Sequence, residues 1–199
     1  MTNMKLNRKG FTLIELLAVI TILGILMIVG IPAVQRTINN SRRDTFLDTA
    51  KEYANSVKTA WAADELDCGS GLKPSSAAAD TDYYVYFASN TGAVEATDYG
   101  TAFTQDDADN QKQLVQSGGK SSWGSAEVGG FVKIHTGADI TENNKYYVNM
   151  VDSKGHGINA NVNADNADTS DELERGDVNI SGAKLTAPSA TPNKCKLVG

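Results

Sequence analysis

The chain has 199 residues, of which 41% are hydrophobic, and its formal net charge is −6. This length suits one domain of ordinary size with an appendage. Residues 1–66 carry a net charge of +2 and residues 67–199 carry −8. The acidic distal part argues against nucleic acid as a partner, because nucleic-acid binding needs a basic surface. The two cysteines stand outside any Cys/His cluster, which excludes a zinc module or an iron–sulfur site.

An apolar run of 24 residues, 11–34, has Glu15 as its only charge. As a helix it is long enough to cross a hydrocarbon layer of about 30 Å. The basic residues Lys5, Arg8 and Lys9 precede it, which is a targeting pattern. The run is either a cleaved secretory signal, a single-pass anchor, or a segment in which Glu15 has a function. It exceeds the roughly 7–15 apolar residues of a signal peptide, and a carboxylate deep in a membrane costs about 2–3 kcal/mol or more. The length argues against a signal peptide, and the cost of the charge favours a functional Glu15 over a carboxylate that is merely tolerated near the membrane surface.

The residues around Glu15 form a recognisable motif. From Lys9 to Leu16 the chain reads Lys-Gly-Phe-Thr-Leu-Ile-Glu-Leu. This resembles the processing motif of type IV pilins and pseudopilins. The resemblance implies that a prepilin peptidase cuts between Gly10 and Phe11, that Phe11 is then N-methylated, and that Glu15 serves assembly. It also implies a cytoplasmic leader, an inner-membrane assembly platform, and a filament made of copies of the chain.

The chemistry of residues 11–15 agrees with that role. Cleavage after Gly10 would expose an α-amino group four residues from Glu15. In a bundle of such helices, the ammonium group of one subunit's Phe11 can pair with Glu15 of its neighbour. A buried charge without a partner costs several kcal/mol, so this pair would favour one axial register. The mature chain would have a net charge of −9, because the leader takes three positive charges with it.

The helical pattern continues beyond the apolar run. Phe46, Ala50, Tyr53 and Val57 follow steps of three and four residues, which predicts an amphipathic helix ending near Leu66. One helix over residues 11–66 would span roughly 84 Å at 1.5 Å per residue. A domain of this size cannot bury so long a helix. Its first half must therefore lie in a membrane or among other copies of the chain.

Two residues weaken the helix within the apolar run. Pro32 lacks a backbone donor and predicts a kink, and Gly24 lowers helix propensity. The alternatives are a passive kink and a flexible element. The family resemblance favours a flexible element between Gly24 and Pro32.

The distal residues predict an α+β fold in which a small antiparallel sheet covers the apolar stripe of the helix. The predicted strands are residues 83–87, 131–135, 145–151, 157–162 and 177–180, and residues 105–116 are predicted to form a short helix. The chain then divides into a leader (1–10), an apolar membrane or filament-core helix (11–34), an amphipathic helix (35–66) and a globular head (67–199).

Two further sites are predicted in the head. Outside the cytoplasm, Cys68 and Cys195 are expected to form a disulfide. The residues Asn161, Asn163, Asp165 and Glu172 echo the spacing of a calcium-binding EF-hand loop. Asparagine stands where the first ligand is usually aspartate, and Asn166 stands where glycine makes the turn. These departures favour a solvated loop, so no cofactor is expected, with calcium kept as a candidate.

The sequence favours a structural protein over an enzyme. It has no phosphate-binding loop and no nucleophile with an evident base, and His135 and His156 lack a third metal ligand. The leading hypothesis is a prepilin, held in the cytoplasmic membrane as a precursor and then assembled into a filament at the cell surface. The alternatives are a pseudopilin of a type II secretion or DNA-uptake system, or a membrane-anchored surface binding protein that does not polymerise. A secreted enzyme has the least support.

Overall fold

The computed structural model describes residues 10–88, 121–124, 128–138, 143–159, 169–183 and 193–198. The chain divides between Ser41 and Arg42 into two compact units. The helix α1, Leu13–Ala62, supplies residues to both units. The second unit also holds the strands β1 (Leu66–Asp67), β2 (Asp82–Ala88), β3 (Val128–His135), β4 (Lys145–Asp152), β5 (Gly157–Asn159), β6 (Val178–Asn179) and β7 (Asn193–Leu197).

The helix ends at Ala62, four residues before the predicted end. Asp64 adopts the left-handed conformation, with φ of 60°. Its backbone N–H donates to the carbonyl of Trp61, and the N–H of Glu65 donates to that of Ala60. These two bonds form a Schellman cap, which usually has glycine at the left-handed position. The prediction missed this end because aspartate takes the place of that glycine, and Leu66 instead begins β1.

The strands form one sheet in the order β1-β7-β2-β3-β4-β5-β6. Neighbouring strands are antiparallel except for β7 and β2, which are parallel. The predicted α+β class, with a long N-terminal helix and an antiparallel sheet, is confirmed. All five predicted strands overlap β2 to β6, although β6 is shorter than expected, and residues 160–162 of the strand predicted at 157–162 lie outside the described residues. The sequence did not predict β1 and β7, and the predicted helix at 105–116 lies outside the described residues.

The core of the second unit lies between α1 and one face of the sheet, here called the inner face. Tyr53 of the helix stacks on Phe87 of β2, with ring centroids 3.8 Å apart. Trp61 packs against Tyr83 at 5.3 Å, and Phe46 meets Trp123 edge-on at 5.5 Å. The predicted stripe of Phe46, Ala50, Tyr53 and Val57 is therefore the buried face of the helix. Trp123 is partly buried and packs against this core.

The outer face of the sheet is also buried and is rich in aromatic residues. Tyr84, Tyr86 and Phe131 contact one another with ring centroids 5.7–6.4 Å apart, and each is at most 3% exposed. Asn149 is on the same face and is fully buried. Neither polar atom of its side-chain amide has a hydrogen-bond partner among the described residues. Such a group costs free energy, because its bonds to water are lost and not replaced.

Candidate functional site

The start of α1 holds the residues that the processing motif singled out. Gly10 and Phe11 are exposed and precede the helix. The Glu15 carboxylate accepts hydrogen bonds from the backbone N–H and the hydroxyl of Thr12, both at 2.8 Å. The N–H of Glu15 donates in return to the Thr12 hydroxyl oxygen at 3.3 Å. Thr12 and Glu15 therefore form a capping box, in which each side chain binds the other residue's backbone.

This arrangement adds Thr12 to the site residues. Sequence reasoning singled out Gly10, Phe11 and Glu15 but missed Thr12. The signal was present, because a threonine followed three residues later by glutamate at the start of an apolar helix is the capping-box pattern. In the single chain, the Glu15 carboxylate thus has two donors before any other partner is present.

The first unit exposes apolar side chains on every side of the helix. All residues from 11 to 34 are exposed, and the large apolar side chains among them are each 47–92% exposed. By length and composition α1 can cross a membrane. Isolated surface leucines are ordinary, but a continuous apolar surface of this extent marks a membrane or protein interface.

The helix is continuous through the segment expected to be flexible. Gly24 and Pro32 both lie inside α1, and no residue between them leaves the helix. A Cβ atom at Gly24 would meet nothing within 4 Å, so packing within the chain does not require glycine there. Loss of helical order in this segment was expected in a filament, and for that state it stays a prediction.

Cys68 and Cys195 form the expected disulfide across a sequence separation of 127 residues. The register of the sheet explains the pairing. β1 and β7 pair Leu66 with Leu197 and Asp67 with Lys196. One more step along the two antiparallel strands places Cys68 opposite Cys195. The bond thus ties the chain just beyond the helix to its C-terminal strand.

A bidentate ion pair also joins the helix to the distal part of the second unit. The guanidinium of Arg175 donates from Nε to Asp44 Oδ1 at 2.5 Å and from Nη2 to Asp44 Oδ2 at 2.6 Å. Arg175 begins a 3₁₀ turn, Arg175–Asp177, in which Glu174 and Asp177 form a second capping box. Asp44 and Arg175 are 131 positions apart, so no local sequence pattern predicts this pair.

The candidate calcium loop is only partly described. Asn161, Asn163 and Asp165 lie outside the described residues. The Glu172 carboxylate accepts hydrogen bonds from the backbone N–H and hydroxyl of Thr169, which lower its pKa below the usual value. In the described structure Glu172 therefore caps its own turn, and its role as a calcium ligand stays a prediction. An unchanged melting temperature on adding calcium and on chelation would contradict it.

Both histidines bind aspartates instead of forming a metal site. His135 Nδ1 lies 2.8 Å from Asp82 Oδ1, and His156 Nδ1 lies 2.7 Å from Asp152 Oδ2. The His156 ring also stacks on Trp123, with centroids 4.4 Å apart. Within the described parts of the chain, no group of three or more His, Cys, Asp or Glu residues could hold a metal ion.

Asp152 is the centre of a buried polar cluster. Burial raises the pKa of this carboxyl, but hydrogen bonds from His156, Ser121 and Lys154 outweigh that effect and lower the pKa below 3.8. The Ser121 hydroxyl binds Asp152 at 2.7 Å instead of His156, so the three residues do not form a nucleophile with its base. The cluster fixes the turn between β4 and β5 against the Ser121–Gly124 segment.

Comparison with known proteins places these features in a family. Residues 5–31 match the family model of the prokaryotic N-terminal methylation motif. Two fimbrial proteins of Pseudomonas aeruginosa are each 32% identical to this chain over 127 residues, which is 64% of this chain and 78% of the relative. No solved structure matches the chain. The motif, the exposed apolar helix, the α+β head and these relatives together show that the chain belongs to the type IV pilin family.

Proposed function

We propose that the chain is a prepilin that is cut after Gly10, N-methylated at Phe11 and polymerised through residues 11–34 into an extracellular filament. The observation that carries the proposal is the apolar surface of residues 11–34, exposed all round the helix. Each large apolar side chain gains about 1.5–3 kcal/mol on leaving water. A membrane covers this surface in the precursor, and other copies of the helix cover it in the filament.

Transfer from the membrane to the filament needs more than hydrophobic burial. Lipid tails are as apolar as leucine side chains, so an apolar helix gains little hydrophobic free energy by exchanging lipid for other helices. Packing between helices and polar contacts must therefore favour the filament. Glu15 is the only charged residue in this segment, so it is the residue that can select a register.

Cleavage supplies the partner that Glu15 needs. Before cleavage, Phe11 is linked to Gly10 through a neutral amide, and Glu15 binds Thr12 of its own chain. After cleavage, Phe11 carries an α-ammonium group. This group pairs with Glu15 of the adjacent subunit, because an unpaired charge in the filament core would be costly. Processing thereby converts a membrane anchor into a subunit able to assemble.

The implied partners and locations follow. The prepilin peptidase and the cytoplasmic membrane act on the precursor, an inner-membrane platform assembles the filament, and the mature chain lies at the cell surface among its copies. The two relatives are named as fimbrial proteins, which supports a pilus subunit over a pseudopilin of a secretion or DNA-uptake system. The same names support a structural role over an enzymatic one.

The mature N-terminus, obtained by mass spectrometry of protein from the native cells, tests the processing step. We expect an N-terminal peptide that begins with N-methylated Phe11. A start near Val34 would indicate a conventional signal peptide and overturn the proposal. An intact Met1 in cells that contain the peptidase would instead support an anchored surface protein.

Replacing Glu15 tests the assembly step. The variant Glu15→Ala should still be inserted in the membrane and cut, but it should yield no surface filaments. Glu172→Ala is a matched control, because it removes a carboxylate that binds a threonine in the same way but lies in the head. Normal filaments from Glu15→Ala would contradict polymerisation through the Phe11–Glu15 pair.

A further inference from the structure

We infer that Ser122 and Arg175 form a clasp that holds the first two turns of α1 in the second unit, residues 42–50. With the clasp intact, these turns stay packed on the sheet. Without it, they detach from the sheet while the rest of the second unit stays folded. The clasp acts within a single chain, so this inference goes beyond the proposed function and does not depend on assembly into a filament.

The two clasp residues bind neighbouring positions at the start of this helical segment. The Ser122 hydroxyl donates a hydrogen bond of 2.7 Å to the backbone carbonyl oxygen of Arg42. The Arg175 guanidinium donates to both carboxylate oxygens of Asp44, at 2.5 and 2.6 Å. An exposed ion pair with one contact contributes little to stability, whereas a bidentate pair is stronger and fixes the orientation of both groups. The clasp therefore holds the helix at two residues in its first turn.

Apolar packing is sparse in the part of the helix that the clasp holds. Residues 42–45 are exposed or half-buried, and Phe46 is the first buried residue of α1. Leu47 is only partly buried, and Ala50 is fully buried but offers no more than a methyl group. The next large buried side chain is Tyr53, whose ring stacks on a phenylalanine of β2. The polar contacts of the clasp are therefore a larger part of what holds these two turns than of what holds the turns beyond Tyr53.

One side chain in the same segment opposes its docking. The Nε atom of Arg43 is enclosed and has no hydrogen-bond partner in the described part of the chain. Its bond to water is lost on docking and is not replaced, which favours detachment. Segments with few apolar contacts and such uncompensated groups can open without unfolding of the whole domain. The clasp is the set of contacts that counters this opening.

Both clasp residues lie on segments that have anchors of their own. Ser122 stands between Ser121, whose hydroxyl binds a buried carboxylate at 2.7 Å, and Trp123, whose ring stacks on His156 at 4.4 Å. Arg175 begins a 3₁₀ turn that is closed by a capping box. Since these contacts do not involve the helix, they keep the two clasp residues in position whether or not the helix is docked.

Thiol labelling of the full chain in detergent tests the clasp. The variants Ala50→Cys and Ala60→Cys each place a thiol on the buried face of α1, where the two alanines are 0% and 4% exposed. The native cysteines are joined in a disulfide, so the introduced thiol is the one that reacts. Adding Arg175→Gln and Ser122→Ala together should raise the rate of maleimide labelling about tenfold at Ala50→Cys and less than about twofold at Ala60→Cys, because local opening exposes only the first site.

Two control variants separate the clasp from general changes in charge or stability. Asp171→Asn breaks a single-contact ion pair of 3.9 Å with Lys58, farther along the helix, and should leave both labelling rates within about twofold. Ser122→Thr keeps the hydroxyl and should do the same. The melting temperature of each variant shows that it is folded. The inference is overturned if labelling at Ala50→Cys is unchanged without the clasp, or if both sites become faster by the same factor, which would indicate global destabilisation.

Discussion

Two stretches of the same helix differ in what covers them. Residues 13–34 and 42–62 both belong to α1, and the backbone is helical throughout. No side chain of the first stretch is buried, whereas Phe46 and Val57 in the second are at most 1% exposed. Local sequence determines the helical backbone of both stretches, whereas burial of their apolar side chains depends on what packs against each. The head covers the apolar side chains of residues 42–62, whereas nothing in the described part of the chain covers those of residues 13–34.

The largest expected difference between the two stretches is the loss of stability when one apolar side chain is removed from each. Phe46→Ala should lower the free energy of unfolding of the head by about 3–5 kcal/mol, because it leaves a cavity beside Trp123. Ile25→Ala should change it by less than about 0.5 kcal/mol, since Ile25 is 65% exposed. Denaturant unfolding of the full chain in detergent, followed by tryptophan fluorescence, measures both. Equal losses of stability in the two variants would contradict the conclusion that the head buries side chains of residues 42–62 but not of residues 13–34.

Breaking the disulfide should lower the stability of the second unit, which contains residues 42–62, and leave the helix of residues 13–34 unchanged. The double variant Cys68→Ser/Cys195→Ser should lose about 2–4 kcal/mol of stability, because a long loop is then released in the unfolded chain. The melting temperature of the head should fall by about 5–15 °C. Reductant should have the same effect on the normal chain and none on the double variant. Helical circular dichroism that persists in detergent after the head has melted would show that residues 13–34 stay helical without the folded head.

Acid should lower the stability of the head, because it protonates the Asp152 carboxylate. Its pKa is lowered in the folded protein, so its contribution to stability is present at neutral pH and is lost as the pH falls through the folded pKa, below 3.8. Asp152→Asn should cost about 1–3 kcal/mol at pH 7 and flatten the dependence of stability on pH below about 4. Asp171→Asn is the control, because that carboxylate is 74% exposed. A normal acid transition in Asp152→Asn would show that other carboxylates determine it.

The smallest expected effect is a gain in stability. Asn149→Leu removes a fully buried amide that has no hydrogen-bond partner in the described part of the chain, so the head should become more stable by up to about 1 kcal/mol. Asn149→Asp should do the opposite, because it buries a charge at the same position. A loss of stability in Asn149→Leu would mean that the amide has an unrecognised partner, such as a bound water molecule.

The sequence predicted the features that depend on regular patterns. The apolar run, the stripe through Phe46 and Val57, and strands β2 to β4 all follow from the spacing of apolar residues. The helix end was wrong because Asp64 replaces the glycine that normally marks such a cap. Strands β1 and β7 were missed because β1 has only two residues and β7 is largely polar. Neither therefore shows the alternation of apolar and polar residues that predicts a strand.

The candidate site was predictable where it depends on adjacent residues. Gly10, Phe11 and Glu15 lie within a short contiguous motif, and the disulfide was predicted from two cysteines in a part of the chain expected to lie outside the cytoplasm. The bond between Thr12 and Glu15 could have been predicted from its spacing. The pair between Asp44 and Arg175 could not, because only the folded sheet brings residues 131 positions apart together.

The position of β7 has a consequence for the order of synthesis. Among the described strands, β1 pairs with β7 alone, and β7 consists of residues 193–197. The ribosome makes β1 early and β7 late, so the gap between β1 and β2 stays open until residues 193–197 have been synthesised and have paired with both strands. A chain that terminates early therefore keeps an unpaired strand edge and a free Cys68.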